Sequence, residues 1–196
     1  MNKKIILASG SPRRAEILNN IGIEFTIIKS EADESRINPQ GIDVGVYVQE
    51  LSLLKSTEVY SRISAENALI IGADTVVSID GRILGKPKDD ADAFNMLRML
   101  SGKTHQVYTG YCVVDSNTGY SMCGSRCTNV KFAELSDKEI NEYIHTGETN
   151  DKAGSYAIQG KGVMLVDKID GDYLNVVGLP VRDLVMLMKE EFGFEL

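Results

Sequence analysis

The feature that most constrains the fold is an apolar run, Ala68–Val77, that contains one carboxylate, Asp74. A continuous run of aliphatic and β-branched residues predicts a strand that is covered on both faces of a sheet. A lone carboxylate buried in such a strand is costly unless it is paired, hydrogen-bonded or bound to a metal ion. An aspartate can also cap a turn, but Thr75–Val77 continues the strand pattern. We therefore predict that Asp74 is a functional residue.

A short apolar strand, Ile5–Leu7, leads into the turn Ser9–Arg14, which opens a helix. Ser11 is a favourable helix N-cap, and Pro12 suits the first helical position. Two arginines follow, at a point where the helix dipole is already positive and acidic residues are favoured. The turn is therefore either an anion site at a helix N-terminus or a pair of solvated arginines, and the local sequence supports both equally.

Apolar residues recur at three- and four-residue spacings between Asp43 and Ser61, which predicts a helix. Lys55 lies at the edge of the apolar stripe, where a lysine ordinarily extends its ammonium group into water. If its side chain points into a cleft instead, Lys55 is a candidate phosphate ligand.

Ahead of this helix, the segment Glu31–Ser35 carries three carboxylates directly after a predicted strand. A cluster of this kind is ordinarily a solvated loop. Acidic side chains in this position can equally bind Mg²⁺ or Mn²⁺, because both ions prefer oxygen ligands. Both interpretations stay open for the segment.

Two Asp-Gly pairs predict two-residue hairpins. The first, Asp80-Gly81, follows the Asp74 strand, and the hairpin should return the chain so that Lys86 lies near the level of Asp74. The second pair, Asp170-Gly171, predicts a hairpin between Met164–Ile169 and Tyr173–Val177.

Gln159 lies in a polar, glycine-rich segment, 151–162, which is either a surface loop or a loop over a ligand. A glutamine amide donates and accepts hydrogen bonds in one plane, as recognition of a nucleobase requires. Strands and helices alternate in the first part of the chain, and long hairpins follow. This order predicts a single α/β domain, residues 1–196, around a mixed sheet with one long cleft.

Composition excludes several classes of protein. A formal net charge of −7 argues against a general nucleic-acid surface, which is normally basic. No apolar run approaches the roughly 20 residues of a membrane-spanning helix. The opening residues Met1–Lys4 lack the apolar core of a signal peptide, so we expect a cytoplasmic protein. Cys112, Cys123 and Cys127 are odd in number and lack a paired zinc motif, which indicates reduced thiols.

Four motifs occur in order along the chain: Leu7–Arg14, Gly72–Val77, Leu84–Pro87 and Lys152–Gly160. Together they resemble the Maf family of nucleoside triphosphate pyrophosphatases. The resemblance extends from about Ile5 to Val181. It implies an α/β fold similar to that of the inosine triphosphate pyrophosphatases, a single elongated domain with a mixed, strongly twisted sheet flanked by helices. It also implies a homodimer and a divalent metal ion, Mg²⁺ or Mn²⁺.

The activity that the resemblance implies is hydrolysis of a nucleoside triphosphate between its α and β phosphates, which removes non-standard or excess nucleotides. By the same resemblance, Asp74 is the proton acceptor and, with Glu34, a metal ligand, and Asp33 is the alternative to Glu34. Residues assigned to the triphosphate and its reaction are Ser9, Ser11, Arg13, Lys55 and Lys86. Such a reaction needs a positioned water, a base and neutralisation of phosphate charge, and it needs no covalent nucleophile.

Thr75 and Gln159, together with Arg13, match the branch of the family that acts on dTTP and UTP. The alternatives within this family are 7-methyl-GTP and modified pyrimidine triphosphates. An alternative from another class is a nucleotide-binding regulator of cell division without significant turnover, which would leave Asp74 in a buried strand unexplained.

Overall fold

The computed structural model describes residues 3–63 and 67–196, so Met1 and Asn2, on which the cytoplasmic expectation partly depends, lie outside it. The strands are β1 (Lys4–Leu7), β2 (Thr26–Ile27), β3 (Ala68–Ile79), β4 (Arg82–Leu84), β5 (Thr104–Asp115), β6 (Ser121–Phe132) and β7 (Val166–Asp170). The α-helices are α1 (Pro12–Asn20), α2 (Val44–Arg62), α3 (Asp90–Leu100), α4 (Asp137–Ile144), α5 (Tyr173–Val177) and α6 (Val181–Phe192). Short 3₁₀ helices cover Glu34–Arg36, Ala153–Ser155 and Gly160–Leu165.

The strands form a mixed sheet in the order β2-β1-β3-β5-β6-β7, with β4 paired to β3. Strand β1 runs parallel to β2 and β3, whereas the β3–β4 and β6–β7 pairs are antiparallel. The predicted α/β class with a mixed sheet flanked by helices is therefore confirmed. Within the described ranges, every helix falls short of the length and apolarity that crossing a bilayer demands.

The chain divides into two compact units. The first comprises Met1–Asp74, Thr109–Arg126 and Gly178–Leu196, and the second comprises Thr75–Tyr108 and Cys127–Val177. The boundary falls within β3, β5 and β6. The prediction of one domain over residues 1–196 stays a prediction.

In the first unit, the apolar residues of β1 and β3 are buried as their sequence predicts, and they pack with residues of α2 and β5. This part of the core comprises Ile6, Ala8, Val59, Ala68, Ile70 and Val114. Helix α2 begins where the sequence predicts it, directly after Asp43. The Asp43 side chain accepts hydrogen bonds from the N–H groups of Gly45 and Val46. Helix α2 is thus fixed at its N-terminus by its own cap.

In the second unit, the first predicted hairpin is confirmed. Val77 pairs with Leu84 and Ile79 with Arg82, and both Asp80 and Gly81 at the turn have positive φ. Positive φ at both central residues is the requirement of the hairpin turn that Asp-Gly favours. The packed helices α3 and α4 follow, and Ser136 with Glu139 forms a capping box at the start of α4.

The second predicted hairpin is wrong. Residues Tyr173–Val177 form the short helix α5 and not a strand, and β7 pairs with β6. The Asp172 carboxylate accepts a hydrogen bond of 2.8 Å from the N–H of Leu174, while Thr128 Oγ1 accepts one from the N–H of Asp172. An aspartate that bonds a backbone N–H two residues on favours a helix start over a turn into a strand.

The cysteine prediction is wrong for two of the three residues. Cys112 of β5 and Cys123 of β6 form a disulfide, with their Cα atoms 4.0 Å apart. The two face each other because the strands are joined by a turn in which Asp115 N–H donates to Tyr120 O. Cys127 is a free, exposed thiol. An odd count therefore reflects one disulfide and one free cysteine.

His105 lies in the core of the second unit with 0% of its surface exposed. Its Nε2 is 2.8 Å from the Tyr156 hydroxyl, and the Phe132 ring packs edge-on against the imidazole. Within the part of the chain that the structure describes, Nδ1 has no hydrogen-bond partner. Burial lowers the pKa of His105 from 6.5 to about 4, because the charged form cannot be solvated there.

This burial predicts a loss of stability in mild acid. The unfolded chain takes up a proton near pH 6.5 and the folded chain only near pH 4, so stability falls as pH drops through that window. Between pH 7.5 and 5 the loss from His105 should be about 2 kcal/mol. Urea unfolding at both pH values should show a loss smaller by that amount in His105→Asn. Equal losses in the two proteins would show that His105 does not titrate in this way.

Candidate active site

The candidate site depends on how closely α2 approaches the sheet. A Cβ atom at Gly72 of β3 would lie 2.2 Å from the carbonyl oxygen of Ser52, so only glycine leaves room for the helix backbone. Ser52 and Ser56 are fully buried at this contact. Their hydroxyls donate to carbonyls of the same helix, Val48 O at 2.6 Å and Ser52 O at 3.0 Å. The contact is therefore tight and leaves neither hydroxyl unsatisfied.

This packing brings Lys55 against Asp74. Asp74 is two residues after Gly72 on β3, and alternate strand residues share a face. The Lys55 ammonium forms an ion pair with the Asp74 carboxylate and lies 3.0 Å from Glu34 Oε1. Asp74 is 9% exposed, so the predicted need for a partner is met by this lysine. Lys55 does not extend into water, which was the ordinary expectation for its position.

The structure separates the roles of Asp33 and Glu34. Asp33 is exposed, and its carboxylate accepts hydrogen bonds from the N–H and hydroxyl of Ser35, at 3.1 and 2.6 Å. These bonds lower the pKa of Asp33 and make it the cap of the Glu34–Arg36 turn. Glu34 instead directs its carboxylate to Lys55. Of the two candidates, Glu34 is the one that shares the Lys55 ammonium with Asp74.

The arginine turn is organised around Ser9. Its buried hydroxyl oxygen accepts hydrogen bonds from the N–H of Ser11 at 3.2 Å and from Arg14 Nη1 at 3.0 Å. Arg14 Nε donates to Gly178 O at 2.8 Å. The Ser11 side chain makes no capping hydrogen bond, so its predicted N-cap role is wrong in that respect. Ser9 and Arg14 therefore hold the turn, and α1 begins without a side-chain cap.

Arg13 differs from Arg14. It is half-buried, and among residues 3–63 and 67–196 no hydrogen bond or ion pair joins its guanidinium to the protein. Burial lowers the pKa of Arg13. Burial also lowers the pKa of Arg14, the charge of Arg13 adds to this effect, and Asp74 and Glu34 oppose it. An uncompensated, partly desolvated guanidinium at a helix start favours the anion-site interpretation over a solvated surface pair.

Sequence reasoning missed Tyr47 of α2. Burial raises the pKa of its hydroxyl, and the nearby charges of Asp74 and Glu34 raise it further. Tyr47 is therefore close enough to sense the carboxylate pair. The available signal was its position two helical turns before Lys55 on the same helix.

A divalent cation fits the donor set, although within the described residues no group of three or more His, Cys, Asp or Glu side chains could hold a metal. Asp74 and Glu34 offer hard carboxylate oxygens that share one cationic partner, Lys55. Mg²⁺ commonly binds to one or two carboxylates and completes its shell with waters and substrate phosphates. Two carboxylates are thus sufficient for a metal ion whose remaining ligands are waters and an anionic ligand.

The second unit carries the other three candidates. Lys86 is exposed, with its Nζ 4.0 Å from Asp151 Oδ1, a surface pair of little energetic weight. Thr75 is half-buried on β3. Gln159 is half-buried too, and within the described residues nothing hydrogen-bonds to its amide. Its segment is joined to the end of the hairpin, because Gly154 N–H donates to Gly85 O at 3.0 Å.

The first unit of this α/β protein thus combines a carboxylate pair that shares the Lys55 ammonium with an arginine turn held by Ser9. The family model described as Maf-like protein matches residues 4–191, and the chain belongs to the Maf family. It is 50% identical over 187 residues to a dTTP/UTP pyrophosphatase of Clostridium novyi, covering 95% of this chain and 97% of the relative. Identity to the protein of that name from Thermococcus gammatolerans is 49% over 191 residues, 97% of each chain.

A third relative, the dTTP/UTP pyrophosphatase of a Thermoanaerobacter species, is 46% identical over 195 residues, 98% of this chain and 99% of the relative. Among solved structures, a nucleoside-triphosphatase, dITP/XTP pyrophosphatase, of Mycobacterium abscessus is 15% identical, with a TM-score of 0.41. The match covers 67% of this chain and 74% of that one.

The close contact at Gly72 makes a stability prediction. In Gly72→Ala the new methyl group would clash with the Ser52 carbonyl oxygen, so α2 must move away from β3. The free energy of unfolding should therefore fall by about 3 kcal/mol. Gly85→Ala is the control, because a Cβ at Gly85 meets open space. Urea unfolding of both variants measures the difference. Equal stabilities would show that the sheet yields to the methyl group at no cost.

Proposed function

We propose that this protein hydrolyses nucleoside triphosphates, most readily dTTP and UTP, to the monophosphate and pyrophosphate, and so controls non-standard or excess nucleotides. The observation that carries the proposal is Asp74, a carboxylate in a buried strand whose ion pair with Lys55 also engages Glu34. A binding protein without turnover gives no reason for that arrangement. The names of relatives at 46–50% identity support the same reaction and substrates.

In the proposed mechanism, Asp74 accepts a proton from a water that attacks the α phosphorus. Its ion pair with Lys55 orients the carboxylate before substrate binds. Arg13 provides a guanidinium without a protein partner, and Ser9 and Ser11 shape the turn that presents it. Pyrophosphate leaves as a polyanion, so fixed cations stabilise the transition state more than the bound substrate.

Asp74 and Glu34 are the residues that would hold Mg²⁺ or Mn²⁺ in this proposal. The ion, when bound, would neutralise phosphate charge and lower the pKa of a water. Lys55 lies between the same two carboxylates, so its ammonium has to share them or turn to the phosphates. We also assign Lys86 to pyrophosphate departure, a role that its exposed ammonium leaves it free to take.

Base selection is assigned to Thr75 and Gln159 together with Arg13. The unpartnered amide of Gln159 can donate to a carbonyl oxygen and accept from a ring N–H of a uracil or thymine. A homodimer and a cytoplasmic location, which the family resemblance and the composition favour, complete the proposal.

The test is a panel of UTP, dTTP, CTP, GTP and 7-methyl-GTP with Mg²⁺ or Mn²⁺, run in ¹⁸O-water with pyrophosphate resolved from phosphate. We expect UTP and dTTP to give pyrophosphate fastest, with the label in the monophosphate. Asp74→Asn should lose roughly 10²- to 10⁴-fold in rate because the base is removed. Preference for 7-methyl-GTP would assign the other branch, and label only in pyrophosphate would exclude attack at the α phosphorus. Intact nucleotide after hours would favour a regulator.

The two neighbouring acidic residues give a matched pair. Glu34→Gln removes a charged oxygen donor, so the Mn²⁺ concentration for half-maximal activity should rise roughly tenfold or more. Asp33→Asn should stay within about twofold of the parent, since asparagine keeps the capping hydrogen bond. Metal titration of the hydrolysis rate measures both. The opposite pattern would make Asp33 the ligand.

A further inference from the structure

The segment that carries Gln159 is fastened at one end by a carboxylate. Both oxygens of Glu148 accept hydrogen bonds from the N–H of Lys161, at 3.2 and 3.1 Å, and Oε2 also accepts from the N–H of Gly162 at 3.3 Å. Hydrogen bonds from backbone N–H groups to an ionised acceptor are stronger than those between neutral groups. Glu148 therefore fixes the backbone that directly follows Gln159 and Gly160.

A second side chain fastens the other end. The buried Tyr143, on α4, accepts at its hydroxyl a hydrogen bond of 3.2 Å from the N–H of Ala157. Two contacts thus hold the backbone on either side of Gln159, one two residues before it and one two residues after.

The contact between Glu148 and the segment leaves no spare room. A Cβ at Gly160 would lie 2.9 Å from Glu148 Oε1, and Gly160 also has a φ of +66°. A Cβ at Gly162 would lie 1.9 Å from the carbonyl oxygen of Ala157. Glycine at both positions is what lets the chain close onto the carboxylate.

Glu148 is itself held in place. Its N–H donates to Thr146 Oγ1 at 3.1 Å, and the Thr146 hydroxyl donates to the carbonyl oxygen of Tyr143 at 2.7 Å. The half-buried Glu148 is therefore tied to the end of α4 through a serine/threonine turn. A rigid helix and a fixed carboxylate together support the segment.

We propose that Glu148 is a positioning residue for substrate selection, which holds Gln159 so that its amide faces the nucleobase. The inference depends on the proposed function, because Gln159 has a base to recognise only if the ligand is a nucleotide. Ordering a loop residue costs backbone entropy, and a loop that is already held in place avoids that cost on binding. Loss of Glu148 should therefore weaken substrate binding and leave the chemical step nearly unchanged.

The experiment is a double-mutant cycle of Glu148→Gln and Gln159→Ala, with Glu142→Gln as the matched control. Glu142 is an exposed residue of α4 whose only recorded ion pair in the described chain is a surface contact with Lys138, 3.7 Å away. Steady-state hydrolysis of UTP gives KM and kcat for each protein. Binding of α,β-imido-UTP, which cannot be cleaved at that bond, gives the dissociation constant.

For Glu148→Gln we expect KM and the dissociation constant to rise about fivefold, with kcat within about twofold of the parent. In the Gln159→Ala background the same change should add less than about twofold, because its effect passes through Gln159. Tyr143→Phe, which removes the other fastening, should reproduce this pattern, and Glu142→Gln should match the parent.

Amide hydrogen exchange supplies a readout that does not need turnover. Exchange at Lys161 and Gly162 should be faster in Glu148→Gln and unchanged in Glu142→Gln. Independent effects of Glu148→Gln and Gln159→Ala, or a fall in kcat with constant KM, would overturn the proposal. A parent that binds the analogue without hydrolysing UTP would refute the proposed function alone, and the cycle would then be judged on binding. A parent that binds neither nucleotide would refute both.

Discussion

The contact of α2 with β3 at Gly72 is the constraint on which the candidate site depends. The helix backbone lies where a side chain would be, so the absence of a Cβ at Gly72 sets the distance between helix and strand. A second glycine, Gly110 of β5, repeats the arrangement, since its Cβ would lie 2.2 Å from the carbonyl oxygen of Val48. With the helix fixed at this depth, Lys55 reaches Asp74 and compensates a charge that burial would otherwise make very unfavourable.

The sequence predicted the parts of this structure that depend on local pattern. The buried β3 strand, the α2 helix and the Asp80-Gly81 hairpin follow from periodicity and turn chemistry alone. The direction of the Lys55 side chain could not be predicted from the sequence pattern, because a lysine at the edge of an apolar stripe faces water unless it has a partner in the protein. That partner is supplied by the close packing at Gly72, which is a tertiary contact and leaves no trace in helical periodicity.

The errors have the same origin. Residues Tyr173–Val177 follow an Asp-Gly pair that favours a hairpin, yet the Asp172 carboxylate accepts a hydrogen bond from the N–H of Leu174 and a helix follows. Cys112 and Cys123 become partners because β5 and β6 are neighbours in the sheet. Tyr47 was overlooked because its interest lies in the charges near it and not in its own type. In each case the structure depends on a side-chain contact or on strand pairing, and neither can be read from the local sequence pattern.

The half-buried Arg13 has a consequence for the stability of the fold. A half-buried guanidinium without a counter-charge, next to a second arginine, makes the free protein less stable than it would be with that charge matched. A polyanion that binds only the folded chain removes this cost and shifts the folding equilibrium by mass action. The thermal midpoint should therefore rise with the concentration of such an anion. Under the proposed function that anion is the nucleotide, so a scarcity of nucleotide would leave more of the chain open to proteases.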